Sequence, residues 1–310
     1  MRSTDSGVES AGTPDSAPVI LASFYTLAGD VRPAIRGGME LSSRDVADRI
    51  EAASAAGYKG IGFADRDLGY WWNIHGPARI RRWLDESDLA VVELEMLHDW
   101  YAGGESRSAS DARLRQLIEW AGELGARHIK VGTGFSGPNI DRSKLVAGLA
   151  DLCEKVAPTG AGIALEPMPV AALRTPQEGL ELIEEAAAPN AGLLIDVWHV
   201  VRAGVDYESL RGIPGERITA VELIDGATDP VQGDIFVDGI DYRRPVGTGE
   251  FAVDRFLDAL LATGFSGTFG DENLSLENRA RSLPEAARVN FDATVRAVES
   301  ALARSHARGA

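Results

Sequence analysis

The chain has 310 residues, and its 45% hydrophobic and 25% charged residues are the balance of an ordinary globular protein with a full core. The formal net charge of −16 argues against a surface for nucleic acid or anionic membranes, since both need clustered lysine and arginine. No apolar run approaches the roughly 18 residues that a membrane span requires.

The first 18 residues, MRSTDSGVESAGTPDSAP, are small, polar and acidic, without the basic start and apolar centre of a signal peptide. This composition predicts a disordered leader over 1–18, followed by one catalytic domain over 19–305. Cys153 is the only cysteine, which excludes an intramolecular disulfide and a cysteine-based metal site. A reduced, cytoplasmic location is the simplest interpretation.

After the leader, short apolar runs alternate with amphipathic stretches along the chain, which predicts alternating strands and helices. Eight runs of five to seven residues predict strands at 19–24, 60–64, 90–96, 128–132, 162–166, 192–197, 218–223 and 266–270. The clearest predicted helices are 43–56, with Ser42 or Ser43 as its cap, 112–124, 143–156, 176–187, 253–263 and 284–303. Glycines follow several of these helices, where a left-handed cap is expected: Gly57, Gly125, Gly160 and Gly264.

Strand–helix units in series, with no internal linker, predict an α/β fold, a single-domain (β/α)8 barrel. The apolar runs lack alternation, as strands buried on both faces do. A doubly wound open sheet is the alternative, but it usually has a glycine-rich nucleotide turn after its first strand, and ASFYTLAGD is not one. The longest stretch without a regular pattern, 226–249, is expected to be a loop that covers the substrate.

Four of the predicted strands end in a carboxylate: Glu166, Asp196, Glu222 and Glu272. Adjacent strands of a barrel lie about 4.7–4.9 Å apart, so these side chains would converge at one rim. Four anions cannot share a small space without a counter-charge, and the economical one is a divalent cation that prefers oxygen ligands, Mg²⁺ or Mn²⁺. The alternative is four unrelated carboxylates, each capping the helix that follows it.

Other polar residues lie near the same strand ends. Lys130 ends the fourth strand, where it could polarise a substrate carbonyl, neutralise the acids or form a structural ion pair. Glu93 and Glu95 lie on one side of the third strand, with His98 just after it, which indicates a polar inner layer. His199 follows the sixth strand and could bind substrate, support the metal shell or be satisfied at a helix start.

Aromatic residues cluster just after the first three predicted strands. Apolar ring faces at a barrel mouth suit the C–H surfaces of sugars and exclude water, or they pack as a lid. Trp72 is the candidate among them for contact with substrate. The cluster comprises Phe24, Tyr25, Tyr70, Trp71, Trp72, Trp100 and Tyr101.

At these residues the chain resembles the xylose isomerase-like barrel superfamily of sugar isomerases and epimerases, over roughly residues 19–300. Members include ketose 3-epimerases, inosose dehydratases, 3-dehydroshikimate dehydratases and endonuclease IV. They carry a glutamate after strand five, Asp-x-x-His after strand six, a polar ligand after strand seven and a glutamate after strand eight. These positions fall here on Glu166, Asp196 with His199, Glu222 and Glu272.

The segment YRRPVGTGEF resembles the Arg-x-x-Pro-Gly-x-Gly turn of the superfamily, although Val246 replaces the proline. The resemblance assigns Arg243 to substrate oxygens. Ketose epimerases have histidine where Glu222 stands, so the implied ligand set is all-carboxylate here. Such a set favours a harder ion.

The resemblance implies a divalent metal ion that chelates adjacent oxygens of a keto-sugar or keto-cyclitol and stabilises the enediolate formed when the α-proton leaves. Glu166 and Glu272 would remove and return that proton, doubling as metal ligands. A sugar isomerase or epimerase is the first hypothesis, a lyase or dehydratase using the same site is the second, and a non-catalytic barrel subunit is the third. In the lyase the acid would come from one of four residues: His98, His199, Lys130 or Glu95.

A negative site favours a neutral sugar or cyclitol over a phosphorylated one, unless Arg243, Arg244 or Lys130 offsets the charge. Members of the superfamily often pair as dimers, so a homodimer is an alternative to a monomer. A DNA-repair activity like that of endonuclease IV is disfavoured, because it needs a histidine-rich metal cluster and this acidic chain has five histidines.

Overall fold

The eight apolar runs form strands that close a barrel. These strands are β1 (Ile20–Ala22), β2 (Gly60–Ala64), β3 (Val91–Leu97), β4 (His128–Gly132), β5 (Gly162–Glu166), β6 (Ala191–Asp196), β7 (Ile218–Leu223) and β8 (Thr268–Asp271). Each pairs in parallel with the next along the chain, and β8 pairs with β1, so the computed structural model confirms the predicted (β/α)8 barrel. It describes residues 17–34, 40–134 and 140–309, and the predicted leader lies outside them except for its last two residues.

The strand bounds follow from the buried runs in the sequence. β2, β4, β5 and β7 have the predicted bounds. Every residue of β1, β2, β4, β6 and β8 is buried, because helices cover the outside of the barrel and side chains fill its inside. β1 has only three residues, since the chain turns into a helix directly after Ser23.

Helices surround the barrel, and all six predicted ones are present. Within the described residues they are α1 (Phe24–Leu27), α2 (Val46–Ala56), α3 (Asp65–His75), α4 (Pro77–Glu86), α5 (Gly104–Leu124), α6 (Arg142–Val156), α7 (Pro176–Glu185), α8 (Val197–Arg202), α9 (Ile235–Asp241), α10 (Val253–Leu261), α11 (Leu276–Ala280) and α12 (Leu283–Gly309). α5 begins earlier than predicted. Its first turns, GESRSASD, lack the apolar period that marks a buried face, so the sequence pattern did not reveal them. No helix in these described ranges has both the length and the apolar character needed to cross a bilayer.

The helix boundaries are set by capping residues. α2 begins after Asp45, whose side chain accepts a hydrogen bond from Ala47 N–H at 2.9 Å. The prediction of Ser42 or Ser43 as this cap is wrong, because the Ser42 hydroxyl donates to the Ala28 carbonyl at 2.7 Å. All four predicted glycines lie at positive φ, between 62° and 109°. Gly57 and Gly125 cap α2 and α5, and Gly160 caps the 3-10 turn after α6, but the cap of α10 is Ala262, so the prediction of Gly264 as its cap is wrong.

The segment predicted as a loop, 226–249, contains a helix and is called the cover segment below. Asp234 caps α9 by accepting hydrogen bonds from Phe236 N–H and Val237 N–H, at 2.9 and 3.2 Å. α9 has only seven residues, with a glycine among them, so its periodicity is too brief to stand out in the sequence. The prediction of an irregular loop is therefore wrong for this part of the chain.

A buried carboxylate anchors the cover segment to the barrel. Asp238, inside α9, accepts hydrogen bonds from Trp198 Nε1 at 3.0 Å and from Arg202 Nε at 2.8 Å. Both donors belong to α8, which follows β6 directly. The position of α9 thus depends on the carboxyl end of one strand of the barrel.

Charged side chains and a small apolar cluster lie side by side in the strands of the barrel. Ala164, Leu194 and Ala220 form a small apolar cluster, separate from the main core between strands and helices. Lys130 lies beside Ala164 in the strand register, and Glu222 closes β7 nearer to its carboxyl end. Glu166 and Asp196 end β5 and β6, so charged groups reach the carboxyl ends of the strands, where barrels of this type bind their substrates.

Replacing Asp67 should test the buried ion pair that joins α2 to α3. Asp67 accepts hydrogen bonds from Arg49 Nη2 and, at 2.9 Å, from Ser42 N–H, and both charged side chains are fully buried. Asp67→Ala should lower the free energy of unfolding by about 3–5 kcal/mol, because it leaves a buried guanidinium unpaired. Urea denaturation measures this. The control is Asp85→Ala, which removes the exposed partner of Arg81 and should cost less than about 1 kcal/mol. Equal losses in the two variants would contradict the prediction.

Candidate active site

A cavity of about 480 Å³ opens at the carboxyl ends of the strands. The cover segment faces it, contributing Ile235, Phe236 and Ile240 to the lining. Such a volume accommodates a small cyclic or open-chain substrate with room for water. Six polar residues singled out in the sequence also line it: Glu95, His98, Glu166, His199, Arg243 and Glu272.

The carboxylates at the ends of β5 to β8 lie together at this end of the barrel. Asp196 and Glu222 are neighbours in the strand register. Asp196, Glu222 and Glu272 each offer a ligand oxygen within 4.8 Å of the others, and Glu166, Asp196 and His199 form a second such group. Asp196 belongs to both groups. The structure therefore brings together all four carboxylates and the histidine that the sequence singled out.

Lys130 is fully buried among four carboxylates. Its Nζ lies 2.7 Å from Glu222 Oε1, 3.1 Å from Glu95 Oε2, 3.2 Å from Glu272 Oε1 and 3.9 Å from Glu93 Oε1. Burial acts to lower the pKa of the ammonium group, but the carboxylates outweigh it and raise that pKa well above its usual value. A lysine therefore supplies part of the positive charge that the sequence analysis assigned to a metal ion.

Arg243 supplies a second positive charge from the cover segment. Its Nη1 donates to Asp196 Oδ2 at 3.0 Å and to Glu272 Oε2 at 2.9 Å, while its Nε donates to the Gly239 carbonyl. The guanidinium also lies over the ring of Trp198, with 5.2 Å between the guanidinium carbon and the ring centroid. Arg243 is buried, so these contacts fix it between the acids and the cavity.

Burial and neighbouring charges separate the pKa values of these acids. Burial raises the pKa of Glu95 to about 8, even though Lys130 acts to lower it. Burial acts in the same direction on Glu272, but Lys130 and Arg243 outweigh it and lower the pKa of that carboxyl to about 2. Burial also raises the pKa of Asp196, against the opposing charge of Arg243. Glu272 is thus firmly ionised, whereas Glu95 holds a proton at neutral pH.

Glu166 has fewer partners than the other strand-end acids. His199 Nε2 lies 3.2 Å from Glu166 Oε1 and 3.7 Å from Asp196 Oδ2. Within the described residues, no lysine or arginine pairs with Glu166. Since Glu166 lines the cavity, its carboxylate can face a bound molecule.

The buried acids outnumber the cations around this site. In the described part of the chain, six buried carboxylates gather near two permanent cations, Lys130 and Arg243: Glu93, Glu95, Glu166, Asp196, Glu222 and Glu272. Glu222 Oε2 and His199 Nδ1 are buried and have no hydrogen-bond partner among the described residues. A divalent cation would satisfy both the unpaired oxygen and the excess of negative charge, so the donor set fits one.

Four predicted site residues are not part of the cavity lining: Trp72, Lys130, Asp196 and Glu222. Trp72 does not line the cavity; it packs on Trp120 of α5, with ring centroids 5.9 Å apart. Lys130 is also absent from the lining; it is buried, and its ammonium group pairs with Glu95, Glu222 and Glu272. His98 does line the cavity, and burial lowers the pKa of its imidazole.

Sequence reasoning missed five charged residues of the cavity wall: Glu40, Asp65, Arg66, Asp99 and Arg113. Asp65 directly follows β2, so the rule that singled out the other strand-end carboxylates would have found it. Arg66 comes next in the chain and also lines the cavity. Arg113 lies in the middle of α5, where nothing in the local pattern distinguishes it from a solvent-exposed arginine.

Comparison with known proteins gives matches over most of the chain. Residues 50–289 match the family described as xylose isomerase-like TIM barrel. The chain is 25% identical to the 3-dehydroshikimate dehydratase of Pseudomonas putida over 224 residues, 71% of this chain and 34% of that protein. It is 28% identical to the inosose isomerase of Bacillus subtilis over 156 residues, 48% of this chain and 55% of that protein. The chain thus matches about a third of the first relative's length and about half of the second's.

A solved structure shares the fold. The IOLI protein with a bound zinc atom superimposes with a TM-score of 0.76 and 19% identity, covering 91% of this chain and 98% of that one. At this level of identity the likeness concerns the fold alone.

The raised pKa of Glu95 predicts how the stability of the metal-free protein depends on pH. An acid whose pKa rises on folding, here from 4.5 to about 8, favours the folded state below pH 4.5 and loses that contribution as the pH rises through 8. The melting temperature should therefore fall between pH 5 and pH 9, and Glu95→Gln should reduce this slope. Thermal melts at both pH values measure it. The exposed control Glu86→Gln should keep the wild-type slope, and an unchanged slope in Glu95→Gln would contradict the assignment.

Proposed function

Because the chain belongs to the xylose isomerase-like TIM barrel family, as its strand-end carboxylates predicted, we propose that it is a divalent-metal-dependent lyase. Its substrate would be a keto-cyclitol or keto-sugar. The enzyme would remove the proton next to the carbonyl group and expel a hydroxyl group from the following carbon as water. This proposal puts the lyase ahead of the isomerase or epimerase, the first hypothesis from the sequence.

The lyase is placed ahead of the epimerase because Glu272 is held in its ionised form by two cations. Both of its oxygens are engaged, Oε1 by Lys130 at 3.2 Å and Oε2 by Arg243 at 2.9 Å, and its pKa is about 2. Epimerisation removes a proton on one face of a carbon and returns one on the other, which calls for two proton-transferring groups. An acid so strongly paired and ionised is poorly suited to be the second proton-transferring group, whereas Glu166 suits the role of the single base.

The proposed ion would be held by Glu166, Asp196, Glu222 and Glu272, with His199 beside them. When bound, it would withdraw electrons from the substrate's oxygens and make the neighbouring C–H bond more acidic. The zinc atom of the structurally similar IOLI protein supports a divalent cation in this fold.

Residues of the chain carry out the two proton transfers of the reaction. Glu166 takes the α-proton, the electrons of that bond form a double bond to the β-carbon, and the bond from the β-carbon to its hydroxyl breaks. Glu95, largely protonated at pH 7, donates its proton to the leaving hydroxyl, which departs as water. Phe24 N–H fixes Glu95 by donating to its Oε1 at 3.1 Å. Glu166 ends protonated and Glu95 ionised, so solvent restores both before the next turnover.

Turnover in D₂O tests this division. With Mg²⁺ and 3-dehydroshikimate or an inosose, the wild type should form a dehydrated product, seen by its ultraviolet absorbance. Glu166→Gln should lower the rate about 10²–10⁴-fold and stop deuterium exchange at the α-carbon. Glu95→Gln should slow dehydration but retain exchange, because the base remains.

The controls separate the base from the metal ligands. Excess Mg²⁺ should partly rescue Glu272→Gln but not Glu166→Gln, and the surface variant Glu185→Gln should behave as wild type. Deuterium entering recovered substrate or an isomer, with no dehydrated product, would overturn the lyase in favour of the isomerase or epimerase.

The isomerase or epimerase is the second candidate, supported by the 28% identity to inosose isomerase. It would use the same ion and the same Glu166, with a proton returned in place of the lost hydroxyl group. A homodimer and a cytoplasmic location remain predictions from the sequence.

Adding a divalent cation should stabilise the protein, because it offsets the excess of buried acids. At about 100 times its dissociation constant, an ion that binds only the folded state adds about 2.7 kcal/mol. Melting curves of chelator-treated protein with and without Mg²⁺ or Mn²⁺ measure the gain, which Asp196→Asn should abolish and Asp85→Asn should leave intact. A wild type that melts at the same temperature with and without either ion, and retains none after purification, would favour the non-catalytic barrel.

A further inference from the structure

The wall of the cavity formed by α3 and α5 carries two arginines that the proposed mechanism does not use. β2 ends at Ala64 and α3 begins at Asp65, so Asp65 and Arg66 stand at the cavity mouth. Arg113 reaches the same wall from α5. All three line the cavity that contains Glu166.

Two acids of the cavity lining, Asp65 and Glu40, are already engaged. Asp65 Oδ2 pairs with Arg113 Nε at 2.5 Å, and Asp65 Oδ1 accepts the backbone N–H of Arg66 at 2.7 Å. Glu40 Oε1 accepts hydrogen bonds from the Tyr25 hydroxyl and from Ala34 N–H, both at 3.0 Å. Asp65 therefore fixes Arg113 against the wall, and these carboxylates are held by other partners.

Arg66, unlike Arg113, forms no salt bridge within the described residues. The residue is exposed to the cavity mouth. Arg113 is only partly exposed, with 34% of its side-chain surface accessible. A cation in such a partly enclosed place attracts an anion more strongly than one in open solvent does.

The two arginines line the same cavity as the proposed base, Glu166. His98 also lines this cavity, and burial lowers the pKa of its imidazole; Arg113 acts in the same direction, while Asp99 and Glu166 oppose it. A molecule whose α-carbon meets Glu166 can extend within this cavity towards Arg113 and Arg66. The planar, forked guanidinium group matches the oxygens of a carboxylate or a phosphate.

We propose that Arg66 and Arg113 form a subsite for an anionic group of the substrate, a carboxylate or a phosphate ester. Asp65 is its positioning residue. This inference rests on the proposed function for the reacting end of the substrate, and it replaces the neutral sugar or cyclitol expected from the sequence with an acidic one. The excess of acids at the metal-binding end would repel this anionic group, which favours its binding at Arg66 and Arg113.

Binding of unreactive ligands tests the subsite apart from catalysis, since ligands without a ketone cannot turn over. Calorimetry would compare shikimate with its carboxamide, and inositol monophosphate with inositol, in the Mg²⁺-loaded wild type. At least one anion should bind about tenfold or more tightly than its neutral partner. Preference in the first pair identifies a carboxylate, and preference in the second identifies a phosphate ester.

Variants test whether the preference for the anionic ligand arises from Arg66 and Arg113. Arg66→Gln with Arg113→Gln should reduce the preference to less than about twofold, while Arg66→Lys should retain part of it because the charge remains. Asp65→Asn should weaken it by releasing Arg113. Arg82→Gln, an exposed arginine of α4, is the control and should keep the full preference. Equal binding of acid and neutral partner by the wild type, or a preference that survives in the double variant, would overturn the subsite even if the lyase chemistry is correct.

Discussion

The acidic end of this barrel depends on the contact of Lys130 with carboxylates from several strands. Glu95 comes from β3, Glu222 from β7 and Glu272 from just beyond β8, and each lies within 3.2 Å of the one ammonium group. Without that charge, three acids withdrawn from water would repel one another in a medium that screens them poorly. The lysine makes it feasible to concentrate acids where the strands end, and it leaves an excess that a divalent cation can complete.

The same environment gives chemically identical side chains different tasks. Glu272 is ionised because two cations hold its two oxygens, and Glu95 keeps a proton because burial outweighs the one cation beside it. Glu166 has only His199 beside it and faces the cavity. In the proposed reaction these three states correspond to ligand, acid and base. Environment, rather than residue type, makes that division.

The fold could be predicted because strand burial and glycine caps are local properties that the sequence records directly. The strand-end acids were predictable for the same reason, since strand order alone carries them to one rim. The cavity wall that carries Arg66 and Arg113 could not be predicted, because Arg113 reaches the cavity only through the packing of α5 against the barrel. The structural place of Trp72 was also hidden, because an aromatic beside a strand end can face either the mouth or a neighbouring helix. α9 was missed because seven residues give too little periodicity.

Arg243 belongs to the cover segment and also contacts the acids Asp196 and Glu272 at the strand ends. Lifting the cover segment would carry the guanidinium away from Asp196 and Glu272 and leave Glu272 with Lys130 and Asp196 with His199 as their remaining basic neighbours. Any movement of the cover segment would therefore change the charge around these acids as well as the opening of the cavity.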